Sequence, residues 1–337
     1  MIISRTPYRV SFFGGGTDYP EWFREHGGAV LTSTINRYVY ASIRNLPPFF
    51  QHKTRVVWSK VELVSNNLDL ENPAVRGMLE YFNKHDVGYE IHHQGDLPAR
   101  SGMGSSSAFI VGLLNAHAAL TGLRSSRAVS HEFAESLAKT AIRIEREFVG
   151  DTVGIQDQYA SALGGVRLLE IDQAGEVYPR GCFIDKCDKL NDNLVLFFMG
   201  TTRHASEIAK AQVAEIGEHR DAMEQLREQA HHGYRILTGG APMGDFPLLL
   251  KEAWQIKRRL SPVISSSRID RMVDGLLANG ADAAKIIGAG GGGFVLTYCR
   301  THNRDSLIEW AKWGGLIYVD FKFTYKGSEV IFDDSET

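Results

Sequence analysis

Residues 98–109, PARSGMGSSSAF, combine glycine and serine in the pattern best suited to chemistry in this sequence. The apolar run that follows, IVGLLNAHAAL, predicts a buried helix that begins directly after the loop. A helix N-terminus offers free backbone N–H groups and partial positive charge, and glycine lets a phosphate approach the backbone closely. The loop therefore predicts a phosphate site. A strand-to-helix turn with a serine cap explains it equally well when the loop is considered alone.

Two further glycine-rich segments bear on that choice. Residues 288–294, GAGGGGF, formally match the G-x-G-x-x-G fingerprint of dinucleotide-binding folds. That fingerprint opens a helix, whereas FVLTYC here predicts a strand, so we interpret the segment as a turn where two backbones or a ligand approach closely. Residues 9–19, RVSFFGGGTDY, predict a strand that ends in a glycine turn, where Asp18 either closes an Asx-turn or binds sugar hydroxyls. The sequence has no Gly-Lys pair, which excludes a Walker A motif.

Composition narrows the class of protein and its partners. The 337 residues, 43% of them hydrophobic, predict a globular protein of about two domains at roughly 150 residues each. A net charge of -3 argues against nucleic acid or an anionic membrane as a partner. Three cysteines without metal-type pairing are expected to be reduced thiols. We see no signal peptide and no apolar run of about 18 residues, and we therefore expect a cytoplasmic protein.

The elements that must position these loops alternate between strands and helices, which predicts an α+β fold. We place the domain boundary in a loop-rich junction over residues 175–192, with domains at 1–187 and 188–337. The sequence also predicts strands over 2–13 and 55–64, a strand or a pair of strands over 29–45, a helix over 109–120, and a long helix from about 204 to 236.

Three motifs in this order, RTPYRVSFFGGGTDY, PARSGMGSSSA and GAGGGGF, together with GDTVGIQDQYAS, resemble the signature set of the GHMP small-molecule kinases. The resemblance spans residues 5 to 294. It implies an N-terminal ribosomal-S5-domain-2-like domain, a C-terminal ferredoxin-like domain and an active site in the cleft between them. It also implies a kinase that uses ATP and Mg²⁺.

Within that family, FFGGGTDYPEWF, GGAVLTSTINRYVY and GIQDQYASALGG are most similar to the D-glycero-D-manno-heptose 7-phosphate kinases, which phosphorylate an anomeric hydroxyl. Galactokinases carry Glu-His where this chain has Gly15 and Gly16, which makes galactose a poorer prediction. A kinase for a free sugar of the fucose or galactose type is the alternative. A catalytically silent sugar- or nucleotide-binding regulator is the rival from another class, and a homodimer is a further expectation.

The resemblance also implies roles for individual residues. Asp157 matches the proposed general base, with Asp157 as a mere helix cap being the alternative, and Arg9 matches the arginine beside that base. Ser106 matches the serine that binds Mg²⁺, and Glu145 matches the Mg²⁺ glutamate, for which Glu147 is a competitor.

The remaining predicted site residues fall into three groups. The ATP phosphates are assigned to Gly102, Met103, Gly104, Ser105, Ser106 and Ser107. Substrate binding is assigned to Gly15, Gly16, Thr17, Asp18, Gln158 and Arg203. The glycine-rich loop of the cleft is assigned to Gly290, Gly291 and Gly292. Arg203 is a candidate for a distal phosphate because arginine binds phosphate bidentately, although a surface salt bridge explains it as well.

Overall fold

A computed structural model describes residues 1–123, 129–201 and 205–334 of the chain. The strands are β1 (Ile2–Phe13), β2 (Gly28–Asn45), β3 (Thr54–Val57), β4 (Val61–Val64), β5 (Tyr89–Gly95), β6 (Val166–Ile171), β7 (Val177–Gly181), β8 (Leu194–Phe198), β9 (Ala283–Ile286), β10 (Phe294–Tyr298), β11 (Ile317–Val319) and β12 (Glu329–Asp333). The helices are α1 (Pro20–His26), α2 (Pro73–Tyr81), α3 (Ser105–Leu120), α4 (His131–Arg143), α5 (Gln156–Leu163), α6 (Ile184–Asn191), α7 (Ala205–Glu215), α8 (Arg220–Leu237), α9 (Asp245–Lys257), α10 (Ser267–Ala278) and α11 (Arg304–Trp313).

The larger sheet is organised around the two long strands β1 and β2. Its order is β12-β1-β2-β5-β3-β4, and β6 pairs with β2 and β7. All pairs are antiparallel except β3 with β5. Helix α3 packs against β1 and β2 and is buried along nearly its whole length, as its uniformly apolar sequence predicts. This packing places the loop before α3 beside Arg9 in the C-terminal half of β1.

The smaller sheet has the order β11-β8-β10-β9 and is antiparallel throughout. Helix α8 packs against β1 and β2 of the larger sheet and also against α9, which in turn contacts β9. Phe246 on α9 lies edge-on to Phe12 and Phe13 of β1, with ring centroids 5.5 and 5.1 Å apart. An apolar contact therefore joins the two sheets beside the end of β1.

The mixed sheet-and-helix architecture confirms the α+β prediction. The two sheets fall on either side of residues 187 and 188, except that β12 returns from the C-terminal part to pair with β1. The division of the chain at that point stays a prediction. No helix in the described ranges is both long and apolar enough to cross a membrane.

Several local predictions were wrong. Residues 55–64 form a hairpin of β3 and β4, because the chain turns between Val57 and Val61. The junction over residues 175–192 contains β7 and α6, whose mixed polar sequences do not stand out as elements. The helix predicted from 204 to 236 is interrupted by a 3₁₀ turn at Ile216–His219. Residues 29–45, in contrast, lie in one strand, β2.

Candidate active site

A cavity opens where the loop before α3, the end of β1 and the start of α5 meet residues of the C-terminal part. Its walls contain predicted site residues from segments far apart in the chain. These are Arg9, Gly15, Gly16, Asp18, Gly102, Gly104, Ser105, Ser106, Ser107, Glu145, Asp157 and Gln158.

Asp157 and Arg9 form a bidentate ion pair in the wall of this cavity. The Arg9 Nε and Nη2 atoms donate to the two Asp157 carboxylate oxygens at 2.7 and 2.8 Å. Arg9 is 4% exposed, whereas Asp157 keeps 23% of its side chain exposed. Arg9 Nη1 also donates to the Gly102 carbonyl at 2.6 Å, so the guanidinium joins β1, the glycine-serine loop and α5. Two parallel N–H···O bonds fix the orientation of the Asp157 carboxylate.

Helix α5 places Asp157 in its first turn, but Asp157 does not cap that helix. The amides of Ile155 and Gln156 are bound instead by Asp18 Oδ2, at 3.0 and 3.2 Å, and Asp18 Oδ1 accepts from the Gly16 amide at 3.1 Å. Asp18 therefore acts as the helix cap from the glycine turn after β1. Three backbone amides occupy its buried carboxylate, and its predicted role toward sugar hydroxyls stays a prediction.

Gly104 brings the N-terminus of α3 against the Asp157 carboxylate. It is the N-cap residue of α3 and lies in the left-handed region, with φ +74°. A Cβ atom there would lie 3.1 Å from Asp157 Oδ2, which is a close contact. The N-cap residue is a glycine, which has no side chain to cap the helix, so the serine-cap explanation of the loop is wrong. The first N–H groups of α3 remain available for an anion, and Ser105 and Ser106 stand beside them on the cavity wall.

Glu145 lies deep in the cavity wall, and the three serines differ in their relation to it. Ser107 Oγ donates to the Glu145 carboxylate oxygens at 2.9 and 3.1 Å, and Gln158 Nε2 donates to Glu145 as well. Ser106, the predicted partner, is exposed on the cavity wall. Ser107, which was not singled out for the metal, is the serine in contact with Glu145.

A π-helical turn over Ile144–Val149 turns Glu145 into the protein, where it is 1% exposed. Glu147, the competitor, faces outward and pairs with Arg143 at 2.9 Å. Burial raises the pKa of Glu145 to about 7, against the lowering effect of its hydrogen bonds to Gln158 and Ser107. Glu145 is therefore a buried carboxyl group whose ionised form is disfavoured by its surroundings.

The glycine-rich loop after β9 packs backbone against backbone on the loop before α3. A Cβ at Gly288 would lie 2.4 Å from the Gly102 carbonyl oxygen, and one at Gly293 would lie 2.1 Å from that of Ser101. The predicted residues Gly290 and Gly292 approach Ile264 and Thr201 instead, and the Gly291 amide donates to the Ile264 carbonyl. Gly288 and Ala289 are the residues of this loop that line the cavity.

Two other predicted residues lie behind the cavity wall. Thr17 is fully buried, and its hydroxyl bonds the backbone of Gly14 and Ala29. Met103 is buried in the core, and its carbonyl accepts from the Arg9 amide at 3.3 Å. Arg203 lies outside the described residues.

The cavity also contains residues that were not predicted from the sequence, among them the following two groups. Trp58, Pro73, His93 and Phe109 line the cavity, and His93 stacks on Phe109 with ring centroids 4.0 Å apart. Burial lowers the pKa of His93 to about 4, which keeps its ring neutral at pH 7.

Ser11 and Lys257 form the second missed group. Ser11 is two residues after Arg9 on the same strand, so its side chain lies on the same face as Arg9. That spacing could have identified Ser11, whereas no sequence signal identifies Lys257.

Comparisons with known proteins give consistent results. Residues 72–165 match the family described as the GHMP kinases N terminal domain, and residues 243–309 match the GHMP kinases C terminal family. Over 338 residues the chain is 28% identical to the D-glycero-alpha-D-manno-heptose 7-phosphate kinase of Campylobacter jejuni, with 97% of each chain covered. It is 30% identical to the galactokinase of Thermotoga petrophila over 174 residues, which cover 48% of this chain and 43% of the relative.

A similar fold is found in the crystal structure of a D-glycero-D-manno-heptose 1-phosphate kinase from Bacteroides thetaiotaomicron. The TM-score is 0.77 at 22% identity, with 99% of both chains covered. At this identity the likeness concerns the fold alone.

Proposed function

The chain belongs to the GHMP kinase family, and we propose that it transfers a phosphoryl group from ATP to the anomeric hydroxyl of D-glycero-D-manno-heptose 7-phosphate. The product is the 1,7-bisphosphate. One observation carries the proposal: the Asp157 carboxylate, held by Arg9, lies against the uncapped N-terminus of α3. A proton acceptor and an anion site therefore adjoin each other in one cavity.

Asp157 takes the proton of the attacking hydroxyl, and Arg9 orients the carboxylate that receives it. Phosphoryl transfer depends mainly on positioning and on neutralising charge, with little covalent help from the protein. The free N–H groups of α3 and the adjacent serines hold phosphate oxygens of the nucleotide. The neutral rings of Trp58, His93 and Phe109 on the cavity wall are of a kind that suits a purine ring.

The residues around Glu145 fit a magnesium ion. Mg²⁺ prefers oxygen ligands and is usually held by one or two carboxylates together with substrate phosphates. Glu145 is a buried carboxyl group with no cationic side chain within 4.0 Å among the described residues. The Ser107 hydroxyl donates to it at 2.9 Å, and Ser106 lies on the same cavity wall. We assign Glu145, Ser106 and Ser107 as the residues that would hold the ion. When bound, Mg²⁺ neutralises charge on the β- and γ-phosphates.

The test is turnover with a matched set of acceptors. Purified protein is incubated with ATP, Mg²⁺ and D-glycero-D-manno-heptose 7-phosphate, the same heptose without phosphate, galactose or fucose. ADP release gives the rate, and phosphorus NMR identifies the phosphorylated position. We expect the heptose phosphate to be the best acceptor, with a new phosphate on C1.

Two outcomes would contradict the proposal. Turnover with a free hexose but not with the heptose phosphate would support the free-sugar alternative. Absence of turnover with every acceptor, together with measurable binding of a nucleotide or sugar, would support a silent regulator. The bidentate Arg9–Asp157 pair gives no reason to expect a silent regulator.

A further inference from the structure

Lys257 is a buried cation of the cavity that neither the sequence motifs nor the proposed mechanism uses. It occupies the last turn of α9, is 6% exposed and lines the cavity wall. Its ammonium group has three N–H donors. Within the described ranges its one hydrogen-bond acceptor is the Gly288 carbonyl, and no carboxylate lies within 4.0 Å of it. An ammonium buried with so few partners is costly unless a ligand supplies the missing ones.

The charges around Lys257 leave room for an anion. Arg9 and Lys285 are the neighbouring cations, and Asp18 and Asp157 are the neighbouring acids. Arg9 already engages Asp157, and backbone amides already engage Asp18. Burial, followed by repulsion from Arg9, lowers the pKa of Lys257 to about 8, so the group is still largely protonated at pH 7. Among the residues that the structure describes, no carboxylate forms an ion pair with the Lys257 ammonium.

Lys285, a second buried lysine nearby, has hydrogen-bond partners that differ from those of Lys257 and indicate a structural role. It is 3% exposed and donates to two carbonyls of β1, those of Ser11 and Phe12. Its ammonium nitrogen lies 5.9 Å from the centroid of the Phe13 ring, and its side chain does not line the cavity. Lys285 thus ties β9 to β1, whereas Lys257 faces the space where substrate would lie.

We propose that Lys257 is a phosphate-binding residue that holds oxygens of a phosphate group next to Asp157. The inference rests on the proposed function and deepens it. Two phosphates share this chemistry: the one already on the acceptor sugar and the one being transferred. A compact ammonium with two uncommitted donors suits the non-bridging oxygens of either.

The test removes the charge but keeps the tether to Gly288. Lys257→Gln retains an amide donor for that carbonyl. Lys257→Met, which removes both the charge and the donor, serves if the glutamine variant folds poorly. Lys257→Arg retains the charge, and Lys251→Met changes an exposed lysine on the same helix as the control. Calorimetry measures binding of heptose 7-phosphate, of the unphosphorylated heptose and of a non-hydrolysable ATP analogue with Mg²⁺. Steady-state kinetics give kcat and both KM values.

Loss of a charge-assisted hydrogen bond should weaken its ligand by about ten- to hundredfold. If Lys257 holds the acceptor phosphate, Lys257→Gln weakens the binding of heptose 7-phosphate by that factor. The Kd of the unphosphorylated heptose then stays within twofold of the wild-type value. If it holds the transferring group, kcat falls by that factor and sugar binding is unchanged. In either case Lys257→Arg recovers part of the loss, and Lys251→Met shows none.

The proposal is overturned if no binding constant and no kcat changes more than twofold in Lys257→Gln. It is equally overturned if binding of both sugars weakens to the same extent. That pattern would indicate that Lys257 only supports the structure through its hydrogen bond to Gly288. Failure of the proposed function looks different: wild-type protein would then not turn over heptose 7-phosphate. In that case the kcat with the sugar that is used, and the binding of the ATP analogue, still test Lys257.

Discussion

Replacing Glu145 by glutamine removes one buried charge and preserves the shape of the side chain. Burial raises the pKa of Glu145 from 4.5 to about 7, and at about 1.4 kcal/mol per pKa unit this shift corresponds to about 3 kcal/mol. Below pH 4.5 the carboxyl group is protonated in both the folded and the unfolded chain, so it imposes no penalty. Between pH 4.5 and 7 the unfolded chain loses its proton first, and the stability contributed by this group falls as the pH rises. Above pH 7 the folded protein bears the full free-energy cost of the buried Glu145 charge.

Glu145→Gln should therefore stabilise the ligand-free protein above pH 7 by about 3 kcal/mol and have little effect near pH 4.5. The amide can still accept from Gln158 and donate to Ser107, so the local hydrogen bonds are kept. For a chain of this length, about 3 kcal/mol corresponds to a rise in Tm of about 4 °C. The assay is thermal unfolding from pH 4.5 to 8.5 for wild type, Glu145→Gln and the control Glu147→Gln, which alters an exposed carboxylate on the same helical turn.

The same unfolding experiment, repeated with Mg²⁺ present, is expected to change the Tm difference between Glu145→Gln and wild type in the opposite sense. Mg²⁺ with an ATP analogue should raise the Tm of wild type more than that of Glu145→Gln, because only the wild type offers a carboxylate to the ion. A variant less stable than wild type at pH 8 would refute the reasoning, as would a stability difference that does not change with pH. The first result would mean that hydrogen bonds from Ser107 and Gln158 outweigh the cost of burying the charge. The second would mean that folding does not raise the pKa of Glu145.

Three further outcomes are expected. Asp157→Asn should lower kcat by about 10²- to 10⁴-fold while nucleotide affinity, measured by calorimetry, changes little; an unchanged kcat would remove Asp157 as the base. Ser107→Ala should destabilise the protein by about 1–3 kcal/mol in denaturant unfolding, because it removes a buried hydrogen-bond donor from Glu145. The control Ser106→Ala, at an exposed position, should have a free energy of unfolding within about 0.5 kcal/mol of wild type. Gly104→Ala should lower the free energy of unfolding by about 1–2 kcal/mol, because the backbone at this position is left-handed. It should also lower kcat, since the new methyl group would lie against the Asp157 carboxylate. A fully active alanine variant would argue against that contact.

Local sequence determined the parts of this protein whose signals are contiguous. The alternation in β1, the all-round apolar pattern of α3 and the glycines before that helix predicted a strand, a buried helix and a loop between them, and the structure has each. The same glycine-serine pattern pointed to an anion site, because free N–H groups at a helix start are a property of the backbone itself.

Tertiary packing decided which of several similar residues contact the functional groups of the cavity. Ser105, Ser106 and Ser107 are successive on one helix, so each points about 100° from the next, and only the docking of α3 on β1 and β2 turns Ser107 toward Glu145. Asp18 finds its partners 137 and 138 residues away, at the start of α5.

Lys257 ends an ordinary amphipathic helix, and nothing in its neighbours along the chain distinguishes it from a surface lysine. It enters the cavity because α9 and the glycine-rich loop after β9 pack there, and its carbonyl partner is 31 residues away. Local sequence thus fixes which backbone groups are left unpaired, whereas the direction of a side chain and the charges it meets depend on contacts between segments distant in the chain.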